Sequence, residues 1–162
     1  MFNYKINIYL KVTLFISLAS LISAYFIEYI LGHQPCNLCL MQRIPYGLSI
    51  VLIILNFLIK KNKQFIILLL SLLFSFSFVI SFYHFGIEQG LFEESTVCGV
   101  KSASDVISKD ELLKQLQEKA VSCKDVTFRI FGFSLTTINM TISLILTFIL
   151  IKIFKNYEKF KK

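Results

Sequence analysis

Long runs of apolar residues dominate the polarity pattern of this chain. Residues 12–31 carry a single charge, Glu28, and residues 44–59, 65–87 and 130–151 carry none when His84 is counted as neutral. A helix that crosses the hydrocarbon core needs about 20 apolar residues. The pattern therefore predicts an all-α fold, an integral membrane four-helix bundle forming one domain over residues 1–162, with spans at about 10–31, 43–60, 65–87 and 132–153.

The two prolines and one lysine fit these boundaries. Pro35 falls in the first predicted loop and Pro45 at the predicted start of the second span, where proline is tolerated. The second span is the shortest, and Lys60 can extend its ammonium group to the interface. The first span could instead be a signal peptide, but its flanking segment and apolar run are long for one, so we expect it to be retained.

Lysine and arginine are distributed unevenly between the two sides of the predicted membrane. One side carries ten basic residues against one acid, Glu158, and the other carries seven against nine. The basic side faces the cytoplasm. We expect both termini in the cytoplasm of a bacterial inner membrane and outer loops at about 32–43 and 88–131. Topology and contact with anionic lipid account for the net charge of +7, so nucleic-acid binding is not expected.

All four cysteines fall in the two outer loops. Cys36 and Cys39 form a C-x-x-C pair in the first, and Cys98 and Cys123 lie in the second. Thiols on the outer side of a bacterial membrane meet an oxidising environment. This partition predicts two disulfides, or one relay between two thiol pairs.

The second outer loop also contains a helix signal. The sequence SKDE at Ser108–Glu111 matches a capping box, and Leu112, Leu113, Leu116 and Ala120 follow at helical spacing. A short helix here could lie flat on the membrane or pack on the end of the bundle. In either position it could carry Cys123 toward the first loop.

Three kinds of chemistry could use these thiols. A structural zinc site usually needs two close pairs of ligands, and only one is present, so no metal is expected. A structural disulfide across C-x-x-C closes a very small loop and gains little stability. Redox exchange fits better, because Arg43 one helical turn away and a nearby helix N-terminus both favour the Cys39 thiolate. Arg43 could alternatively be an interfacial anchor for lipid phosphate.

The sequence resembles the DsbB family of disulfide bond formation proteins. The similarity rests on CNLCLMQRIPYG from Cys36, on FYHFGIEQGLFEESTVC from Phe82 and on FGFSLTTIN from Phe131, and covers roughly residues 12–153. The chain departs from the family at EES (Glu93–Ser95), where many members have Gly-Pro, and at LTT, which replaces a common proline-containing stretch. These departures bear on loop geometry rather than on the cysteines.

The resemblance implies a role for each cysteine. Cys98 and Cys123 form the disulfide that a DsbA-like thioredoxin-fold oxidase of the periplasm attacks at Cys98. The freed Cys123 attacks Cys36, and Cys39 leaves as a thiolate and passes electrons to a membrane quinone, either ubiquinone or menaquinone. Arg43 matches the family's quinone-side arginine.

The resemblance also suggests where the remaining polar residues lie. His84 matches a position near the quinone, although it could simply be a satisfied interfacial histidine. Depth in the membrane suggests that Glu28 pairs with Arg43, while Glu88 and Gln89 receive no role. We expect a quinone-dependent protein-disulfide oxidoreductase that sustains disulfide formation in exported proteins. The alternative is a non-catalytic membrane scaffold with structural disulfides.

Overall fold

The computed structural model describes residues 2–59, 63–93, 98, 122–124, 129–130 and 132–161. Their architecture consists of four long helices, α1 (Phe2–Tyr29), α2 (Asn37–Ile59), α3 (Lys63–Glu88) and α4 (Leu135–Lys161). Each contains a stretch long and apolar enough to cross a membrane. The predicted all-α, four-helix membrane fold is confirmed, and the chain is a multi-pass membrane protein.

The helices pack through a narrow core and expose most of their apolar surface. α3 packs most extensively on α4, while α2 packs on both α3 and α1. Ile53, Leu70, Phe74 and Leu150 are fully buried between the helices. Outward-facing side chains such as Phe15, Leu58 and Phe148 are 72–73% exposed. An apolar exterior of this kind suits a lipid solvent, in which packing rather than the hydrophobic effect holds helices together.

α2 begins earlier than predicted. It starts at Asn37 rather than near residue 43, so Cys39 lies in its first turn and Pro45 two turns inside the helix, not at its start. Cys36 caps the helix, because its carbonyl oxygen accepts the Leu40 N–H and its sulfur accepts the Cys39 N–H at 3.4 Å. Cysteine is not a preferred N-cap residue, so the sequence contains no signal for this start. The buried Pro45 is tolerated because proline inside a membrane helix can be accommodated by its neighbours.

α3 ends in a Schellman motif next to the cysteines. Gly90 adopts a left-handed conformation with φ of +74°, its N–H bonds to the Ile87 carbonyl, and the Leu91 N–H bonds to the Gly86 carbonyl. Glycine is the residue that adopts this conformation at little cost. The Phe92 ring packs directly on Gly86, where a side chain would collide with it. The motif turns the chain back over the end of α3.

A small hairpin precedes α4 and was not predicted. Strand β1 (Arg129–Ile130) pairs antiparallel with β2 (Phe133–Ser134), and Gly132 turns between them with φ of +87°. The hairpin places Ser134 beside the end of α3. The helix predicted from the capping box at Ser108–Glu111 lies outside the described residues.

Candidate functional site

The four cysteines gather at one end of the bundle, where α1 and α3 end and α2 and α4 begin. We call this end the thiol end. Cys36, Cys98 and Cys123 are buried in one apolar cluster with Leu38 and Ile87, and Cys39 packs against it partly buried. All four are free thiols. Residues more than 80 positions apart in sequence are thus brought together.

The sulfur atoms are arranged in a definite order. Cys36 Sγ lies 3.1 Å from Cys39 Sγ and interacts with Cys123 on its other side. Cys123 in turn interacts with Cys98. The order in space is therefore Cys98, Cys123, Cys36, Cys39, so each sulfur adjoins the next one along the series.

This arrangement makes the thiols chemically unequal. Hydrogen bonds from Cys123 and Cys39, and then from His84, lower the pKa of the Cys36 thiol, although burial opposes the change. The contact with Cys36, together with burial, raises the pKa of Cys123. In the reduced protein a negative charge is therefore more stable on the Cys36 sulfur than on the Cys123 sulfur.

His84 lies beside Cys36, one turn before the end of α3. It is 2% exposed, and its Nε2 lies 3.6 Å from Cys36 Sγ. Its Nδ1 lies 3.2 Å from both Gln42 Nε2 and Thr136 Oγ1. The imidazole is thus held by α2 on one side and by α4 on the other.

Glu88 is the acidic group of the site. Its two carboxylate oxygens accept hydrogen bonds from the Ser134 and Thr136 hydroxyls, each at 2.6 Å. Its Oε1 also lies 3.9 Å from His84 Nε2. The hairpin and the first turn of α4 therefore fix this carboxylate at the end of α3.

Arg43 projects from α2 toward α1. Its guanidinium forms an ion pair with Glu28, and its Cζ lies 5.1 Å from the centre of the Tyr25 ring. The side chains of Arg43 and Glu28 are 16% and 21% exposed, respectively. The structure confirms the predicted pairing of Glu28 with Arg43 and adds a cation–π contact that the sequence did not suggest.

A cavity of about 440 Å³ opens beside the thiols. α1 lines it with several small side chains between Ala19 and Ala24, and α4 lines it from Leu135 to Ile142. Polar side chains gather beside the sulfur atoms, and most of the remaining lining is apolar, with Ser20, Ser23 and Asn139 as polar exceptions. Its volume lies in the usual range for small-molecule sites. The residues that line the polar end are Cys36, Cys39, Gln42, Arg43, His84, Glu88 and Cys123.

The structure places all six sequence-predicted site residues at the thiol end. Cys36, Cys39, Arg43, His84 and Cys123 line the cavity, whereas Cys98 lies behind Cys123 in the buried cluster. Ligand atoms of Cys36, Cys39 and His84 lie within 4.8 Å of one another. Three ligand atoms are one fewer than a structural zinc site uses, and the absence of a metal stays a prediction.

Sequence reasoning missed the polar residues that surround His84. Gln42, Thr136 and Asn139 were not singled out, although each contributes a side-chain hydrogen bond to the site. The available signal was the presence of amide and hydroxyl side chains in predicted membrane spans. Polar groups at such depth usually face the bundle interior and mark functional sites.

Comparison with known proteins gives a family match over most of the chain. A family model described as "Disulfide bond formation protein DsbB" matches residues 7–153. An uncharacterized protein of Rickettsia prowazekii (strain Madrid E) is 27% identical over 146 residues, which cover 89% of this chain and 84% of that protein. No solved structure matches the chain significantly.

Proposed function

The chain belongs to the DsbB family of disulfide bond formation proteins, and on that premise we propose that it reoxidises a soluble dithiol oxidase and passes the electrons to a membrane quinone. Family membership already makes it a disulfide bond formation protein of the membrane with oxidoreductase chemistry. The soluble partner is a DsbA-like thioredoxin-fold protein of the periplasm. In this proposal both termini lie in the cytoplasm, and the thiol end faces the periplasm.

The observation that carries this proposal is the order of the four sulfur atoms. Thiol–disulfide exchange proceeds by attack of a thiolate on a neighbouring sulfur, so a relay needs each sulfur next to its successor. Cys123 adjoins both Cys98 and Cys36, and Cys36 adjoins Cys39. A purely structural pair of disulfides has no need for contact between the two pairs.

Each exchange in the proposed relay conserves electrons. The partner's thiolate attacks Cys98 Sγ, forms a mixed disulfide and releases the Cys123 thiolate. Cys123 attacks Cys36 Sγ in the Cys36–Cys39 disulfide, and Cys39 leaves with the electron pair. The partner's second thiolate then attacks the sulfur of the partner's first cysteine in the mixed disulfide, and Cys98 leaves as a thiolate. Cys98 attacks Cys123, restores their disulfide and releases Cys36 as a thiolate, so the Cys36 and Cys39 dithiol holds both electrons.

The cavity fits a quinone head group. Its apolar walls and the small side chains of α1 leave room for a planar ring, and Arg43 supplies hydrogen-bond donors for a carbonyl oxygen. Arg43, His84 and Cys39 are the residues that would hold the ring. A bound quinone would accept the two electrons and two protons that oxidation of the dithiol releases. The protein's own contribution is to place Cys39 at the cavity wall and to exclude water from the thiols.

Replacement of Cys39 tests the proposal. We expect Cys39→Ser to abolish quinone reduction by the reduced partner, because the Cys36–Cys39 disulfide that accepts electrons from Cys123 in the proposed relay cannot then form. Met41→Ser is the matched control, because it also replaces a sulfur-containing side chain of the same helix. Met41 is 39% exposed. Unchanged turnover in Cys39→Ser would contradict the relay.

A second variant separates the relay from a structural scaffold. Cys123→Ser leaves Cys98 as a thiol, and its thiolate can attack the disulfide of the oxidised partner and release the partner's second thiolate. The resulting mixed disulfide between Cys98 and the partner should be visible by non-reducing electrophoresis after acid quenching and thiol alkylation. A scaffold with structural disulfides predicts lower stability in this variant and no such adduct.

A further inference from the structure

Buried polar side chains of α2, α3 and α4 form one continuous series of hydrogen bonds that ends at Cys36. The series lies inside an otherwise apolar bundle, and each contact joins two side chains. In order, with donor–acceptor distances, it links Ser77 to Ser143 (3.0 Å), Ser143 to Tyr46 (3.1 Å), Tyr46 to Asn139 (2.5 Å), Asn139 to Gln42 (3.1 Å), Gln42 to His84 (3.2 Å) and His84 to Cys36 (3.6 Å).

The direction of these bonds is set deep in the bundle. The Ser81 hydroxyl donates to the Ser77 carbonyl at 2.8 Å, so its oxygen is left to accept a hydrogen from Asn139 Nδ2 at 2.8 Å. The Asn139 amide nitrogen therefore faces Ser81, and its Oδ1 accepts the single hydrogen of Tyr46. Since that hydrogen is used, Ser143 must donate to the Tyr46 oxygen.

The same direction continues to the imidazole. Asn139 Nδ2 also donates to Gln42 Oε1, which turns the Gln42 NH₂ group toward His84 Nδ1. Nδ1 must then accept, and a neutral imidazole that accepts at Nδ1 carries its hydrogen on Nε2. Nε2 faces two acceptors, Cys36 Sγ at 3.6 Å and Glu88 Oε1 at 3.9 Å. The Thr136 hydroxyl donates its single hydrogen to Glu88 Oε1, so its oxygen, 3.2 Å from Nδ1, is the contact that favours the opposite tautomer, and the Gln42 donor opposes it.

We propose that Gln42 and Asn139 are positioning residues that hold His84 in the Nε2–H tautomer, so that the imidazole donates a hydrogen bond to the Cys36 sulfur. Every bond of the series then points toward Cys36. Hydrogen bonds aligned in one direction polarise one another, so the series strengthens the final donor beyond a single isolated contact.

This assigns His84 the role of a donor and not of a base toward Cys36. The nitrogen that could accept a proton, Nδ1, is occupied by Gln42 and faces away from the sulfur. The consequence for catalysis rests on the proposed function. When Cys98 attacks Cys123, the bond between Cys123 and Cys36 breaks, and Cys36 leaves with the electron pair. A donor aimed at the departing sulfur stabilises that thiolate.

Nitrogen NMR of the histidine ring tests the proposal directly. The chain has only two histidines, so a His33→Gln background leaves His84 as the sole imidazole in the spectrum of reduced, ¹⁵N-histidine-labelled protein. The measurement is made well above the usual histidine pKa of about 6.5. We expect hydrogen on Nε2 in this background. Gln42→Glu presents acceptor oxygens to the ring and should bring a proton to Nδ1.

The pH dependence of the Cys36 thiolate gives a second readout. The titratable groups that surround His84 are Cys36, Cys39 and Cys123 from the loops and α2, and Glu88 from its own helix, while α4 presents the neutral Thr136. Loss of one hydrogen bond to a charged group corresponds to a rise of about one to two units in the Cys36 pKa. We expect a rise of this size in Gln42→Glu and a smaller one in Gln42→Met, which removes the donor without adding a charge.

Two further variants complete the design. Ser71→Ala is the matched control, because it removes a buried hydroxyl of α3 that bonds only to the Leu68 carbonyl in the structure's described contacts; neither readout should change. Asn139→Leu replaces Gln42→Glu if the latter does not fold, and it should weaken the Nε2–H preference.

Hydrogen on Nδ1 of His84 in the His33→Gln background overturns the proposal, as does a Gln42→Glu spectrum identical to that of this background. Both readouts use reduced protein without partner or quinone. Failure here therefore leaves the Cys39→Ser test of the relay intact, and failure of the relay leaves the tautomer assignment intact.

Discussion

Substitutions at Arg43 and at its ion-pair partner Glu28 can separate a structural role of the arginine from a role in binding the electron acceptor. In the structure its guanidinium pairs with Glu28 and stacks on Tyr25, with its remaining donors at the edge of the cavity. Arg43→Gln removes the charge and the stacking while retaining a polar side chain of similar length. Glu28→Gln removes the ion pair but leaves the guanidinium beside the cavity.

The two variants should differ in activity more than in stability. Both lose a largely buried ion pair, which we expect to cost about 1–3 kcal/mol, between the values for exposed and fully buried pairs. If Arg43 holds the quinone as proposed above, only Arg43→Gln loses a charge-assisted hydrogen bond to that acceptor, worth about 1.5–3 kcal/mol. At 1.4 kcal/mol for each factor of ten, this corresponds to a rise of about 10- to 150-fold in the KM for quinone.

Steady-state quinone reduction by the reduced partner, with protein in lipid nanodiscs and quinone concentration varied, measures this difference. Thermal denaturation in the same preparation gives the stability of each variant. Equal loss of quinone affinity in Glu28→Gln and Arg43→Gln would refute the reasoning, because it would mean that Arg43 acts only through its ion pair. In that case the variant carrying both Glu28→Gln and Arg43→Gln should lose no more quinone affinity than either single variant.

Three further predictions follow from other parts of the structure. Asn56→Leu should raise thermal stability by about 1–3 kcal/mol, because both amide atoms of Asn56 are buried without a hydrogen-bond partner among the described residues; an unchanged or lower midpoint of thermal denaturation contradicts this. Gly90→Ala should lower stability in denaturant by about 1–2 kcal/mol, because φ is +74° there; an unchanged midpoint is the contrary result. Because neighbouring thiols lower the pKa of Cys36, its thiolate absorbance in reduced protein should persist below the usual cysteine pKa of about 8.5. Cys123→Ala removes one of these hydrogen-bond donors and should shift the loss of absorbance to higher pH; an unshifted titration argues against the contact.

Much of the fold could be predicted because hydropathy alone decides which segments can cross a membrane. Four apolar runs predicted four long helices, and the structure contains them. The C-x-x-C pair, the arginine one turn later and the matched stretches pointed to the DsbB family, which the family comparison confirmed. The pairing of Glu28 with Arg43 was also foreseeable, because both lie at the same depth on adjacent spans.

The start of α2 and the hairpin before α4 could not be predicted. Cys36 caps α2 through its sulfur and carbonyl, an unusual cap whose thiol also contacts Cys123 and His84 from distant parts of the sequence. The hairpin depends on Gly132 and on the Ser134 hydroxyl meeting Glu88. Both features depend on contacts between segments distant in sequence.

The sequence by itself determined the membrane spans, the placement of four thiols at one end of the bundle and the class of chemistry. The tertiary structure decided which thiol adjoins which, and that Gln42, His84 and Asn139 form a single series of hydrogen bonds. The physical reason is that hydropathy sets how deep a residue lies in the membrane but not which way its helix is rotated. Rotation is set by packing between helices, and packing alone determines which polar groups meet inside the bundle.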